Sequence, residues 1–428
     1  MPQPTRFLFV STYGGVCDLA RQVVSEGSEA RVWIESKEER RVGDGFVEKV
    51  DAWEAHVDWA DVIVFDDVER GATCEALRAR GKHVVGGTVY TDRLELDRDF
   101  GQSEMKAAGM TVLPSWDFES FDAAIEHVRA HPDRYVLKPN GEAQNEKVLS
   151  YVGQDDDGKD VVSMLQFFRR SWSKKIHGFQ LQKHATGVEV AVGAFFNGKE
   201  FLLPACVNFE HKRLFDGEIG PSTGEMGTSM FWANENRLVR ETVLRFQGRL
   251  AAAGYVGYFD LNCIASSRGI VPLEATSRFG YPTINIQMDG VLSPWSGFLA
   301  AQARGEPFEL RTRRGFQVGV VVTVPPYPFD DPKAFRKYSE DALVLWRREM
   351  TEGIHPCDVR RTETGDWLLT GSSGYALVVT GTASTMVDAR REAYNRVKNI
   401  LIPNMFYRTD IGERWARDGD LLQSWEYL

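Results

Sequence analysis

The chain is 428 residues long, 43% hydrophobic and 26% charged, with a formal net charge of −10, the profile of a globular protein with room for about two to four domains. The negative charge argues against bulk attraction to nucleic acid or an anionic membrane, and the five scattered cysteines, with no Cys-x-x-Cys pair, argue against a disulfide framework or a structural zinc site. No apolar run approaches the roughly 20 residues of a membrane-crossing helix and Phe7–Val10 is strand-length rather than a secretory core, so the expected compartment is a reducing cytoplasm.

In chain order, Arg6–Val10 reads as a buried strand, followed by the turn Ser11–Gly15 and a helix over Val16–Glu26. Arg31–Glu35 and Asp61–Phe65 read as further strands, Cys74–Arg80 as a helix and His83–Val85 as a strand. Short apolar runs alternating with helices predict a parallel sheet covered on both faces. Glu95–Ala108 is polar and helical, ending at Gly109. Tyr135–Lys138 is a short strand that delivers a lysine into a turn, and residues 139–160, polar and glycine-containing, are expected to form a mobile hairpin.

Phe179–Gln182 and Val188–Phe196 read as strands, Arg237–Ala253 as one helix, and Tyr258–Ile264 with Gly269–Glu274 as a strand pair around a turn at Ser266–Gly269. Beyond residue 312 the texture changes. Phe316–Val324 is a strand stopped by two prolines, Gly374–Thr380 another strand, and Thr385–Leu401 a helix, which together predict a separate α+β domain.

Five groups of residues carry chemistry. Asp260 and Asn262, two apart on one strand, share a face; with Glu274 on the next strand they offer hard oxygen ligands suited to Mg²⁺ between protein and phosphates. Lys138, at a strand end, is a point charge for a phosphate. Glu189, between two strands, is placed to accept from ribose hydroxyls. His211, Lys212 and Arg213, followed by the glycine-rich stretch Gly220–Gly227, form a loop whose side chains and backbone N–H groups suit an anion. Arg278, just past Glu274, offers a planar fork for carboxylate or phosphate. Singly, each reads as well as an ordinary strand end or surface hairpin; their order along the chain carries the inference.

That order resembles the ATP-grasp superfamily and, within it, phosphoribosylamine–glycine ligase. The family's His-Lys-Arg and Gly-Pro-Asn-Thr-Gly-Gly-Met-Gly are similar to His211–Arg213 and Gly220–Gly227. Its Glu-x-Asn-x-Arg-Phe-Gly-Asp-Pro-Glu is similar to Glu274–Thr283, and its closing Tyr-Arg-x-Asp-Ile-Gly to Tyr407–Gly412. The resemblance implies an α/β, ATP-grasp fold: an N-terminal parallel α/β domain over 1–110, an ATP-grasp domain over 111–312 with a mobile lid at about 117–182, and an α+β C-terminal domain over 313–428.

It also implies ATP and Mg²⁺ (or Mn²⁺) as cofactors. ATP contacts would come from Arg98, Lys138, Lys147, the hinge Gln182–Lys183–His184 and Glu189. Asp260, Asn262 and Glu274 would hold the metal, Asp260 matching the Gly-x-x-Asp of the D-alanine ligase branch. Arg278, Lys138, Lys212 and Arg213 would be catalytic, and Gly14, Gly15, Asp18, His211, Ser222, Thr223, Gly224 and Thr276 would line the substrate site. The implied activity is an ATP-dependent carboxylate–amine ligase working through an acyl phosphate, on an acid such as glycine and an amine related to or different from phosphoribosylamine. Authentic phosphoribosylamine–glycine ligase and an inactive nucleotide-binding protein are the alternatives. The expected partners are small molecules only, with no membrane and no direct nucleic-acid binding, in a monomer or homodimer.

Departures from the family bear on substrate. Thr276 replaces the usual metal-binding Asn, the phosphate loop Gly141–Lys147 has lost glycines, and the loop Gly-Gly-Arg-Glu-His has become Gly14-Gly15-Val16-Cys17-Asp18. Ser222, Glu225, Tyr281 and Thr283 also differ.

Overall fold

The computed structural model describes residues 4–140, 149–171, 174, 176–348 and 352–428. The N-terminal region is a five-stranded, wholly parallel sheet in the order Glu48–Lys49, Glu29–Ile34, Arg6–Ser11, Val62–Phe65, Val84–Val85. Phe7, Leu8, Phe9 and Val62, Ile63, Val64 are all buried, as strands covered on both faces must be. The chain order reverses between Arg6–Ser11 and Val62–Phe65, so the loops leaving their carboxyl ends part there and open a crevice.

The segment read as one polar helix is two, Val89–Leu96 and Arg98–Ala107. Asp97 is extended between them and its carboxylate caps the second by accepting from the Phe100 N–H. The helix expected over Arg237–Ala253 also breaks, at Thr242, whose hydroxyl turns back onto the Leu238 carbonyl.

The described residues between 115 and 183 form a four-stranded sheet, Ser115–Phe118, Phe179–Lys183, Tyr135–Pro139, Tyr151–Val152, covered by the helices Phe121–Ala130 and Lys159–Ser171. It has its own core around Ile125, Leu137, Phe168 and Leu181, the arrangement expected of a lid. Lys147 lies outside the described residues.

The central sheet has eight antiparallel strands, in the order Gly269–Thr276, Gly257–Ser266, Val188–Phe196, Phe201–Glu210, Gly227–Ala233, Phe316–Thr323, Tyr375–Ala383, Ile354–Pro356. Phe316–Thr323 pairs directly with Gly227–Ala233, so the C-terminal α+β region, which has its own core around Val320, Val379 and Ala393, adds its strands to the end of this sheet. Among the described residues, no helix is long and apolar enough to cross a membrane.

Candidate active site

Strand register assembles the site. In the hairpin of Gly257–Ser266 and Gly269–Thr276, Asp260 stands opposite Thr276, and Asn262 opposite Glu274. Across the other edge, Asn262 faces Ala191, which faces Asn208. Because side chains alternate along a strand, Asp260, Asn262, Glu274, Thr276, Asn208, Glu210 and Glu189 project from one face. Asp260 and Asn262 are buried, while Glu274 is 63% exposed and reaches toward the lid.

Lys212 enters this face and gathers three carboxylates, with Nζ 3.1 Å from Glu210, 3.4 Å from Glu189 and 3.6 Å from Glu274. Burial opposes its charge, but Glu210, Glu274 and Glu189 outweigh burial and hold the ammonium protonated well above its ordinary range. Asp260 has the opposite balance. Burial and the charge of Glu210 push its carboxyl up to about 7, although Oδ2 accepts from Asn208 at 3.2 Å and Tyr258 at 3.1 Å. Its other oxygen is buried and accepts nothing from the described residues.

That buried, unmet oxygen beside Asn262 and Glu274 is where a hard divalent cation fits. Among the described residues no three His, Cys, Asp or Glu side chains enclose an ion by themselves. The donor set therefore suits Mg²⁺, which keeps water and takes phosphate oxygens alongside one or two carboxylates, rather than an ion needing a complete protein cage. Thr276, half-buried opposite Asp260, offers only a hydroxyl where the family has an amide.

Gly193, the cross-strand neighbour of Asp260 on the other side, leaves the room the carboxylate needs. A Cβ there would lie 2.1 Å from the Tyr258 hydroxyl oxygen and 2.6 Å from Asp260 Oδ2. Gly193→Ala is therefore expected to displace Asp260 and cut ADP formation by about a hundredfold, with the far-ultraviolet circular dichroism unchanged. Unaltered turnover would show that the position of Asp260 is unimportant.

Cations from the lid and from the helix Arg98–Ala107 stand opposite this face. Lys138 Nζ donates to Gln182 Oε1 at 2.8 Å. Burial, then the positive neighbours Arg98 and Lys212, lower its ammonium to about 8, against the pull of Glu274 and Glu189. Arg98 donates to the Pro139 carbonyl at 3.1 Å and to Asn140 at 2.9 Å. Arg98, Lys138 and Lys212 thus converge with Glu274 and Glu189.

The hinge differs from expectation in one respect. The backbone N–H groups of Lys183 and His184 already donate to the Pro114 and Arg134 carbonyls, and Lys183 Nζ is ion-paired with Asp133 at 2.7 Å. Adenine recognition through those two N–H groups needs these bonds to open.

Several predicted residues act otherwise than expected. His211 is not a cation: burial, then Arg414 and Arg408, hold its ring down to about 3. Arg213 donates to the Gly220 carbonyl at 3.0 Å and braces its own hairpin, away from the carboxylate row. Thr223 donates its N–H and its hydroxyl to the Lys212 carbonyl at 2.7 and 2.9 Å, folding the glycine-rich loop back on itself. In that loop Ser222 is half-buried and Gly224 is exposed.

Asp18 does not open on the crevice. Its carboxylate is fully buried, 2.7 Å from His355 Nδ1 and 2.6 Å from Arg21, in a network reaching Asp289. Gly14 is buried and Gly15 half-buried in the turn that follows Arg6–Ser11. Gly14 has φ +88° and donates to Ser11 Oγ at 2.7 Å, and a Cβ on Gly15 would strike the Tyr281 ring at 2.6 Å.

The sequence reading missed the acids of the crevice. Asp66 and Asp67 follow Val62–Phe65 directly, a position that a carboxylate at the switch point of a parallel sheet could have signalled. Asp66 Oδ2 accepts from Ser11 at 2.6 Å and Tyr281 at 3.0 Å. Arg278 Nε lies 3.2 Å from Glu95 and 3.6 Å from Asp67, and donates through Nη1 to the Phe279 carbonyl. Glu95 in turn accepts from the Ser277 N–H at 2.8 Å. Arg278 therefore ties the helix Val89–Leu96, through Glu95, to Asp67 at the carboxyl end of Val62–Phe65.

Residues 97–259 match the family described as "Phosphoribosylglycinamide synthetase, ATP-grasp (A) domain". The phosphoribosylamine–glycine ligase of Listeria innocua is 26% identical over 354 residues, covering 79% of this chain and 80% of that protein. That of Streptococcus pneumoniae is 25% identical over 359 residues, covering 82% of each. The solved phosphoribosylamine–glycine ligase of Thermotoga maritima superposes with a TM-score of 0.73 at 21% identity, over 95% of this chain and all of that one.

The chain is an ATP-grasp ligase resembling phosphoribosylamine–glycine ligase. The fold extends to carboxylases. The biotin carboxylase domain of Hydrogenobacter thermophilus 2-oxoglutarate carboxylase, solved with MgADP and bicarbonate, superposes on this ligase with a TM-score of 0.65 at 13% identity, over 99% of this chain and 98% of that one.

Proposed function

We propose that this ATP-grasp ligase joins a small amino acid, glycine being the first to test, to an amine through an acyl phosphate, releasing ADP and phosphate. The observation that carries the reading is the meeting of the carboxylate row with Arg98, Lys138 and Lys212.

A carboxylate oxygen of the acid attacks the γ-phosphorus, and the bond to the bridging oxygen breaks with its electron pair leaving on ADP. Lys138, Arg98 and Lys212 neutralise charge spread over the transferring oxygens. Asp260, Asn262 and Glu274 would hold Mg²⁺, which when bound supplies a divalent charge to the phosphates. Arg278 faces the acyl phosphate. The amine nitrogen then attacks the acyl carbon, the carbon–oxygen bond to phosphate breaks, and a proton leaves the nitrogen. Glu189 holds the ribose, and closure of the 115–183 region keeps water from the acyl phosphate.

The relatives' shared activity favours phosphoribosylamine as the amine. The acidic crevice favours a second reading, a ligase with a different amine. Steady-state ADP release with ATP, Mg²⁺, glycine and phosphoribosylamine, and then with other amino acids and amines, tests both. ADP formation that requires an acid and an amine together is expected. ATP hydrolysis indifferent to both would overturn the ligase reading.

A further inference from the structure

The crevice holds carboxylates that the reaction so far leaves unused. Asp66 is 4% exposed and Glu39 is 4% exposed, yet Asp66 Oδ1 and Glu39 Oε2 accept no hydrogen bond from the described residues. Asp66 is otherwise bonded to Ser11 and Tyr281, Glu39 to Ser372 at 2.5 Å, and the neighbouring Asp358 to Ser373 at 2.6 Å. All three partner sets are neutral, and no ion pair reaches these carboxylates among the described residues. The nearby cations are taken, Arg278 by Glu95 and Asp67, and Arg70 by Glu35.

Tyr13, exposed, feels the charge of Asp67, the residue next to Asp66, and of Asp330, Glu35 and Glu39. Burial raises the carboxyls of Asp66, Glu39 and Asp358, with neighbouring acids adding to it. A bound cation would relieve that cost, and a phosphate would add to it.

The loop that could answer a phosphate does not. Val16, Cys17 and Asp18 all turn into the core, and Asp18 occupies the first turn of the helix Cys17–Ser25, at its positive end.

We infer that the amine is a cation carrying no phosphate, seated beside the unmet oxygen of Asp66, and that Asp66 takes the proton its ammonium must lose before attack. The inference rests on the carboxylate–amine ligase reading. The ammonium gives one proton to Asp66 Oδ1, and the free amine attacks the acyl carbon. The acyl oxygen leaves with the phosphoryl group and carries the second nitrogen proton away as hydrogen phosphate. Asp66 then returns its proton to solvent. The groups facing Asp66 are Asp67, Ser11, the Thr12 amide, Tyr281 and Arg278.

The test uses the full chain and two nucleophiles. Hydroxylamine, neutral at neutral pH, needs no base and traps an acyl phosphate as a hydroxamate whatever the crevice holds. It therefore selects the acid and reports the ligase reading alone. With that acid, glucosamine and putrescine are compared with glucosamine 6-phosphate and phosphoribosylamine by ADP release. The cationic amines are expected to be preferred by about tenfold or more in kcat/KM. Asp66→Asn is expected to lower turnover with the preferred amine about a hundredfold more than it lowers hydroxamate formation, and to remove the acidic limb of its pH profile. Preference for the phosphorylated amines, or equal loss of both reactions in Asp66→Asn, overturns the inference and leaves the ligase reading standing. No hydroxamate with any acid overturns the ligase reading and the inference with it.

Discussion

Replacing Glu274 by glutamine is expected to lower ADP formation by about a thousandfold, the scale on which a group stabilising a transferring charge is lost. The substitution keeps shape and removes one negative charge from the face that meets the phosphates. Folding should hardly change. The side chain is 63% exposed, and Lys212 keeps Glu189 and Glu210 within 3.4 Å when its 3.6 Å contact to Glu274 weakens. Thermal unfolding near the wild-type temperature together with lost ADP release confirms the role. Retained turnover would place the divalent cation elsewhere.

The second large effect is on stability. His355 is buried between two acids, Nδ1 2.7 Å from Asp18 Oδ2 and Nε2 3.7 Å from Asp289 Oδ1, and Thr380 bonds to both His355 and Asp289. Burial disfavours the imidazolium, but Asp18 and Asp289 outweigh it and raise the ring from 6.5 to about 9. A raised value means that the folded state holds the proton more tightly than the unfolded chain. The stabilisation is fully present below pH 6.5 and is lost as pH rises through 9. The shift corresponds to about 3 kcal/mol. For Asp18 and Asp289 burial alone would raise the carboxyls, but the His355 charge wins and lowers both. Their contribution is lost on the acid side, as pH falls through their depressed values.

Urea unfolding of the wild type is therefore expected to lose about 3 kcal/mol between pH 6.5 and 9.5, and His355→Gln to be nearly flat over that range. Parallel curves for the two proteins would show that the triad does not set this dependence. The triad joins the first helix to the strands Ile354–Pro356 and Tyr375–Ala383, so loosening it should free the N-terminal sheet from the end of the central one.

The carboxylate hairpin was legible in the sequence because alternation and a four-residue turn fix which side chains share a face. Asp260, Asn262 and Glu274 follow from that local rule, and the register bears it out. Lys138 and the parallel N-terminal strands were legible for the same reason, as short apolar runs between helices. The role of Asp18 was not. Its partner His355 is 337 residues away, and no local pattern distinguishes an acid facing a cleft from one facing inward. The continuity of the central sheet was equally hidden, since pairing of Gly227–Ala233 with Phe316–Thr323 depends on long-range register. His211 misled because its residue type permits charge, while its burial beside Arg408 and Arg414 forbids it.

The proposed chemistry turns on a carboxylate being activated by phosphorylation on this face. The most direct measurement labels both carboxylate oxygens of the accepted amino acid with ¹⁸O and follows the label through one round of amide formation. One ¹⁸O in the released phosphate is the predicted result, because the oxygen that attacked the γ-phosphorus leaves with it. Phosphate free of label, with ADP formed in step with the amide, would contradict it.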